Sequence, residues 1–315
     1  MRPDRRRRVF IAGMLIAAAV GTGACEVNLN TEGLSAKETL TFKVSGQPQV
    51  VLDTFDGAIE LHSWDRPEVE VEIERRAMEQ ALIDEIKVEA SEKNGVVTVK
   101  VTGPSRSEFR GVTIGMHISP TARLRVAVPR NSNVEATSGD GSIRAEAIEG
   151  RLVLTTTDGS VTGTRLGGDI QIRSGDGSIR LDNATGKLDL ETTDGSIGVD
   201  AKPTVLKART GDGSIRATIE ADTVMADNWE LTTSDGTVVL TLPGLFNGEI
   251  DAETSDGVVR TSHPLLGDSS EARPRNEDEN REERRERRRT LRSKMGEGGR
   301  VLRIRTGDGS IRIER

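Results

Sequence analysis

From residue 131 to 262 apolar and polar positions alternate with period two, in short runs rich in Ile, Leu, Val and Thr. Such runs predict strands with one buried and one exposed face. They are punctuated at a constant 18-residue spacing by Asp-Gly pairs: Asp140-Gly141, Asp158-Gly159, Asp176-Gly177, Asp194-Gly195 and Asp212-Gly213. The step then widens to reach Asp235 and Asp256, Asp308 comes later, and Asp56 precedes the series.

Every Asp sits in the same frame. Apolar pairs lie six and four residues before it, as in Leu152 and Leu154, Ile170 and Ile172, or Leu302 and Ile304. Ser or Thr always stands two before it (Thr54, Ser138, Thr156, Ser174, Thr192, Thr210, Thr233, Thr254, Thr306), and Ile or Val three after it. A second turn is expected eight residues before the Asp, at Gly150, Gly168 and Gly186.

A fixed period marks stacked structural repeats. Two architectures share its parity: an antiparallel meander with Asp-Gly hairpins, and a parallel solenoid in which each unit is one coil and equivalent residues stack about 4.8 Å apart. Coverage of the core favours the second. The repeats contain no helix to lie on the apolar face of a meander, whereas the two strands of a solenoid coil cover each other. The expected fold is therefore all-β, a parallel β-solenoid with 18-residue coils. In it each Asp caps its own turn by accepting from the Ser backbone N–H two residues on, and the Gly takes a positive φ.

The chain before the repeats also reads mostly as strand, with "IKVEASEKNGVVTVKV" as a hairpin around Asn94-Gly95. "RRAMEQALIDE", residues 75–85, is the exception. Its stripe of Ala77, Met78, Ala81, Leu82 and Ile86 predicts a short helix that caps the solenoid's open end or lies along its side. The expected organisation is a leader at 1–25, a linker at 26–37, an N-terminal β-rich part at 38–130, solenoid repeats at 131–262, a charged insertion at 263–300 and a last coil at 301–315. The insertion is almost devoid of apolar residues through "RPRNEDENREERRERRRTLRSK", so it predicts a solvated loop or exposed helix. After it, "VLRIRTGDGSIR" restores "VLKARTGDGSIR" of 205–216 nearly letter for letter.

Composition sharpens this picture. Only 2% of the 315 residues are aromatic and there is no Tyr, so the core must be built from small aliphatics, which suits a narrow repeat interior. The leader joins five arginines, the apolar run "VFIAGMLIAAAV" and "GTGAC". It is similar to a bacterial lipoprotein signal, which implies lipidation of Cys25, with Thr22 standing where a large aliphatic is usual. Removing residues 1–25 takes away five basic residues and one acidic, moving the formal charge from −7 to −11. That charge argues against nucleic acid as a partner.

Further residues resemble a known family. "VVLDTFDGAIELHSWDRPEVEVEIERRA", "LRVAVPRNSNVEATSGDGSIRAEAIEG" and the serial "TTDGSI" units are similar to the bacterial "putative adhesin" domain family, exported proteins of unknown function with a β-helix-like repeat. The likeness covers residues 38–262 and 301–315. It implies adhesion but supplies no ligand, reaction or catalytic residue.

The chemistry legible in the residues is sparse. The Asp column offers one carboxylate per 18-residue unit, fewer than stacked-turn calcium sites use, so no metal and no cofactor is expected. Carboxylates at rung spacing resemble a retaining glycosidase pair, but Gly and Ser surroundings leave nothing to raise one pKa above the other. "GDGS" lacks the Lys and following helix of a phosphate loop. His62, His117 and His263 are scattered without metal-ligand spacing. Arg144, Arg180 and Arg216 recur on every second coil, about 9.6 Å apart. Arg284 to Lys294 holds seven basic residues against one Glu, a patch suited to anionic lipid or another polyanion, or else a solvated spacer.

These observations point to a non-enzymatic, lipid-anchored envelope protein. Its expected partners are the membrane through that anchor, and envelope polysaccharide, anionic lipid or another protein. A carbohydrate-active enzyme and an envelope scaffold or sensor are the competing classes. The first predicts a concave cleft with a buried carboxylate, the second an interface on the helix-bearing N-terminal part.

Overall fold

The computed structural model describes residues 26–30, 33–104, 119–264, 266 and 289–315. Cys25, His117 and most of the charged insertion therefore lie outside the described residues. The described chain is all-β apart from one short helix, and its strands form a single hydrogen-bonded sheet that folds back on itself in a solenoid-like manner.

The N-terminal part holds β1 (Glu26–Asn30), β2 (Gly33–Lys43), β3 (Gln49–Thr54), β4 (Ile59–Trp64), β5 (Glu68–Ala77), the helix α1 (Gln80–Glu85), β6 (Lys87–Lys93), β7 (Val96–Thr102) and β8 (Thr121–Pro129). The repeats supply β9 (Asn133–Ser138), β10 (Ile143–Glu146), β11 (Glu149–Thr156), β12 (Val161–Thr164), β13 (Gly167–Ser174), β14 (Ile179–Thr192), β15 (Ile197–Thr210), β16 (Ile215–Ile219), β17 (Trp229–Thr233) and β18 (Val238–Thr241). The chain then forms β19 (Gly248–Thr254), β20 (Val259–Thr261), β21 (Thr290–Met295), β22 (Val301–Thr306) and β23 (Ile311–Glu314).

Repeat strands pair in parallel, each residue facing its equivalent in the next repeat: Ile143 faces Val161, Val161 faces Ile179, and Leu152 faces Ile170. Each repeat contributes one strand to each of two stacks, joined at the Asp-Gly corner. We term the stack from β9 through β11, β13 and the later halves of β14 and β15 to β17 face A. Face B runs from β4 through β10, β12 and the earlier halves of β14 and β15 to β16 and β18. The inward side chains of both faces form one core of Ile, Leu, Val and Ala, with Leu152, Leu154, Ile170, Ile172, Leu188 and Leu190 fully buried. Burial of this aliphatic column is the main force holding the coils together.

The structure corrects several expectations. The stretch expected as a linker, 26–37, contains β1 and part of β2, which pair antiparallel. The helix begins at Gln80, not at residue 75, because Arg75, Arg76 and Ala77 prolong β5 against β2. Its buried anchor is Ile83, which packs with Ala36 and Ala77 on the β2–β5 flank, while Met78 is left exposed. Part of the expected charged insertion is strand: β21 pairs antiparallel with β19.

The final coil is also not last in space. β22 lies between β17 and β19, and β23 between β18 and β20. The coil of residues 301–314 is thus intercalated between two coils that precede it in sequence. Near-equivalent repeats permit this, since each coil offers the same ladder of backbone donors and acceptors to either neighbour.

Candidate binding surface

The recurring "GDGS" sits at the corner where face A turns into face B. The Ser or Thr two places before each Asp points inward and is buried at all nine positions. The Thr192 hydroxyl lies 2.9 Å from both the Gly175 and the Gly177 carbonyl oxygens of the preceding coil, and it accepts from the Gly195 N–H at 3.3 Å. Thr156, Ser174, Thr210, Thr233 and Thr254 repeat the arrangement on their own neighbours. One hydroxyl column therefore closes each turn and fastens it to the next.

This changes the reading of the Asp and Gly that lie two and three residues after it. The hydroxyl, not the Asp carboxylate, caps the turn. Gly141, Gly159, Gly177, Gly195 and Gly213 do not take a positive φ. They are required by close approach, since a Cβ on Gly177 would lie 2.0 Å from the Gly159 carbonyl oxygen and 2.4 Å from its carbon. The positive φ falls at the opposite corner, on Ala147, Arg165 and Asn183 (58°, 54° and 56°), with Gly150, Gly168 and Gly186 stacked in ladder register three residues later. Of the three non-glycine residues only Asn183 has a side chain that favours the left-handed region.

Freed from capping, Asp140, Asp158, Asp176, Asp194 and Asp212 are exposed on the corner edge, one per coil. Asp56 heads the column. Burial, and then the neighbouring Asp140 charge, push its carboxyl above the usual aspartate range. Among the described residues no group of three or more His, Cys, Asp or Glu is placed to hold a metal ion. His62 is exposed on β4, whereas His263 is buried with Nε2 3.1 Å from the Pro243 carbonyl oxygen, so the two lie in separate environments.

The two faces differ in how they treat charge. On face A outward residues alternate in sign along the stack and pair with one another. Arg173 reaches Asp189 and Glu191, Lys187 reaches Asp169, and Arg209 reaches Glu230. Asp251 is the hub of the later coils, 2.6 Å from Arg305 and 3.4 Å from Arg292. Burial alone would raise its pKa, but the hydrogen bonds and charges of Arg305 and Arg292 outweigh burial and hold it below the usual range. Two members of the basic cluster thereby dock on the fold, because Arg289 also binds Asp256 at 2.7 Å.

Face B is sparser. Beyond Glu60 of β4, its central column reads Arg144, Thr162, Arg180, Gly198, Arg216, Val239, Arg312 and Arg260 in spatial order. The intercalated coil thus extends the alternation beyond Arg216 by placing Arg312 two rungs later. Arg180 pairs with Asp182 at 3.1 Å; among the described residues Arg144, Arg216, Arg260 and Arg312 make no ion pair. The next outward column reads Glu146, Thr164, Asp182, Asp200, Thr218, Thr241 and Glu314.

A hollow of about 410 Å³ lies where the loops 221–228, 243–247 and 296–300 meet, lined by Thr223, Val224, Met225, Asn247 and Arg300. Val224 and Leu245 are exposed on these loops. A buried carboxylate does exist elsewhere: Glu74, on β5. Burial acts to raise its pKa, but the hydrogen bond and charge of Arg76, 2.7 Å away, bring it below the usual glutamate range.

A model of the Toastrack DUF4097 family matches residues 48–314. The chain belongs to that family. No curated protein matches it. Among solved structures, this Toastrack chain is similar to a "putative adhesin" from Bacteroides fragilis NCTC 9343 at 10% identity and TM-score 0.46, covering 88% of this chain and 96% of that one. It is also similar to a "putative adhesin" from Parabacteroides merdae ATCC 43184 (12% identity, TM-score 0.40, 88% and 95% covered) and to a "putative lipid binding protein" from Parabacteroides distasonis ATCC 8503 (11%, 0.40, 88% and 96%).

Proposed function

We propose that this chain is an exported, non-enzymatic envelope protein, lipid-anchored at Cys25, whose parallel β-solenoid of 18-residue coils serves as a rigid adhesive or structural binding surface. The observation that carries this reading is face B. In-register stacking turns single exposed residues into columns of Arg, Thr and acid, so that contacts which are weak singly are presented many times on one inflexible plane. Envelope polysaccharide, anionic lipid or another envelope protein are the partner classes suited to such a surface. The Asp-Gly corners act as structure rather than as a reacting centre, and the Ser/Thr column supports that role because it occupies each turn's interior.

The anchor and the surface are tested separately. Labelled palmitate should enter the exported protein and be lost in Cys25→Ser; incorporation that survives the substitution removes the anchor. Purified envelope polysaccharide and vesicles of anionic lipid should retain the protein, and retention should fall when Arg144, Arg216 and Arg312 are changed to Ser. If none of these materials retains the protein above a neutral-vesicle control, polysaccharide and anionic lipid are removed as its partners.

A further inference from the structure

Face B carries two adjacent outward columns, and on three rungs a cation in one is matched by an acid in the other. Arg144 and Glu146 share one strand, Arg180 and Asp182 a second, and Arg312 and Glu314 a third. These rungs are the first, third and seventh of the repeat stack. In each, the cation and the anion are two residues apart, roughly 6.8 Å along the strand. Of the rungs between, Thr162, Gly198 and Val239 leave the surface low, whereas Arg216 on the fifth has Thr218 and not an acid beside it. Glu146 is bonded to Arg165 and Asp182 to Arg180, exposed pairs of the kind that exchange partners readily.

We infer that face B pairs with face B of a second copy of this chain, about a two-fold axis parallel to the coil stack. The pattern chooses this axis over the alternative. Two facing sheets can be related by a two-fold axis along the stack or along the strands. An axis along the strands lays the Arg column of one copy on the Arg column of the other, which is repulsive. An axis along the stack, passing between the two columns, lays each Arg on the acid of the same rung in the other copy. Arg144 then meets the partner's Glu146, Arg180 the partner's Asp182, and Arg312 the partner's Glu314, and the contact is isologous as a closed dimer requires.

The axis also sets the biological geometry. Because it runs along the stack, both N-terminal ends point the same way. The inference rests on the anchored-surface reading above in one respect: with each copy anchored through Cys25, one residue before β1 in sequence, the two copies belong to one membrane and the pairing is lateral, not between cells, and it competes with ligand for face B. Eight rungs by about five residues make a contact of roughly 38 by 17 Å, which is about 650 Å² per copy. Stable specific interfaces bury about 800 Å² per partner. The pair is therefore weak in dilute solution and strengthened by confinement to a membrane, where local concentration rises.

The test uses the protein as a bacterial host exports it, purified in detergent and reconstituted into phosphatidylcholine vesicles, with self-association read by energy transfer between two labelled pools. One variant carries Arg144→Glu, Arg180→Glu and Arg312→Glu; a second carries Glu146→Arg, Asp182→Arg and Glu314→Arg. Each alone should lose self-association by at least about tenfold, and the two mixed should regain it. The inference is overturned if wild type does not self-associate on vesicles, if either variant associates as wild type does, or if mixing fails to restore transfer between well-folded variants. Retention of the wild type on polysaccharide or anionic vesicles is scored independently, so a wild type that is retained but does not self-associate refutes this inference and leaves the adhesive reading standing.

Discussion

Adding one methyl group at Gly177 puts the stacked corner under direct stress. An alanine Cβ there would lie 2.0 Å from the Gly159 carbonyl oxygen, 2.4 Å from its carbon and 2.7 Å from the Ser160 nitrogen, all backbone atoms of the coil below. Restoring ordinary contact at about 3.4 Å means parting the two corners by roughly 1.4 Å. The bonds that would stretch are Gly175 N–H to Thr157 O at 2.7 Å, Asp176 N–H to Thr157 O at 3.2 Å and the Ser174 hydroxyl to Gly159 O at 3.0 Å. Each is worth about 0.5–1.5 kcal/mol, so Gly177→Ala should destabilise the protein by about 2–4 kcal/mol. Gly198→Ala is the matched control, because its Cβ would meet nothing nearer than 4.0 Å; it should stay within about 0.5 kcal/mol of wild type. Equilibrium urea unfolding of both, followed by circular dichroism, measures the difference. Equal midpoints for the two variants would refute the close-approach argument.

Three other substitutions probe different parts of the same account. Thr192→Val keeps shape but leaves the Gly195 N–H unpaired inside the corner, and should cost about 1–3 kcal/mol in urea unfolding, whereas Thr192→Ser, the residue type found at 138 and 174, should cost less. Ala147→Asn places a left-handed former at φ 58° and should raise the thermal midpoint, by an increment of about 0.5–1 kcal/mol; a fall would contradict the strained-corner assignment. Glu74→Gln should destabilise at neutral pH. The wild-type carboxyl has its pKa lowered on folding, so its contribution is present above the unfolded glutamate pKa and vanishes as pH falls through the folded one; the gap between variant and wild type should close over that acid window in a pH series of urea melts.

Much of the fold is legible because alternation and the 18-residue period are local signals repeated many times. Leu152, Leu154, Ile170 and Ile172 announce the inward face, and the Ser or Thr before each Asp marks a constrained position, although sequence alone points to the Asp as the cap. That mistaken assignment has a physical origin. Asp-Gly is a turn signal in isolated hairpins through φ and side-chain capping, whereas stacked corners constrain the same residues through contact between coils, which no single repeat displays. The left-handed corner is hidden for a related reason, since Ala147 and Arg165 are ordinary residues forced into that conformation by the stack. The order of the last coils is not legible at all. Residues 248–261 and 301–314 carry equally good coil patterns, and only three-dimensional pairing decides which lies against β17. Arg75 to Ala77 read as helix because they lead into the apolar stripe of Ala77, Met78, Ala81, Leu82 and Ile86, but an available β2 partner makes them strand. The candidate surface is half legible: the Arg alternation is visible in the sequence, its acid companions and its continuation through Arg312 are not.

The central claim is that successive corners lie one above another in a column. Spin labels on Ser142→Cys and Ser214→Cys, in a Cys25→Ser background, test it by pulsed electron-electron distance measurement. Both sites are exposed and four coils apart. Stacked corners predict a separation of about 19 Å, four steps of 4.8 Å. A distance of about 38 Å, as expected for repeats laid side by side as hairpins with two strands each, would contradict the account.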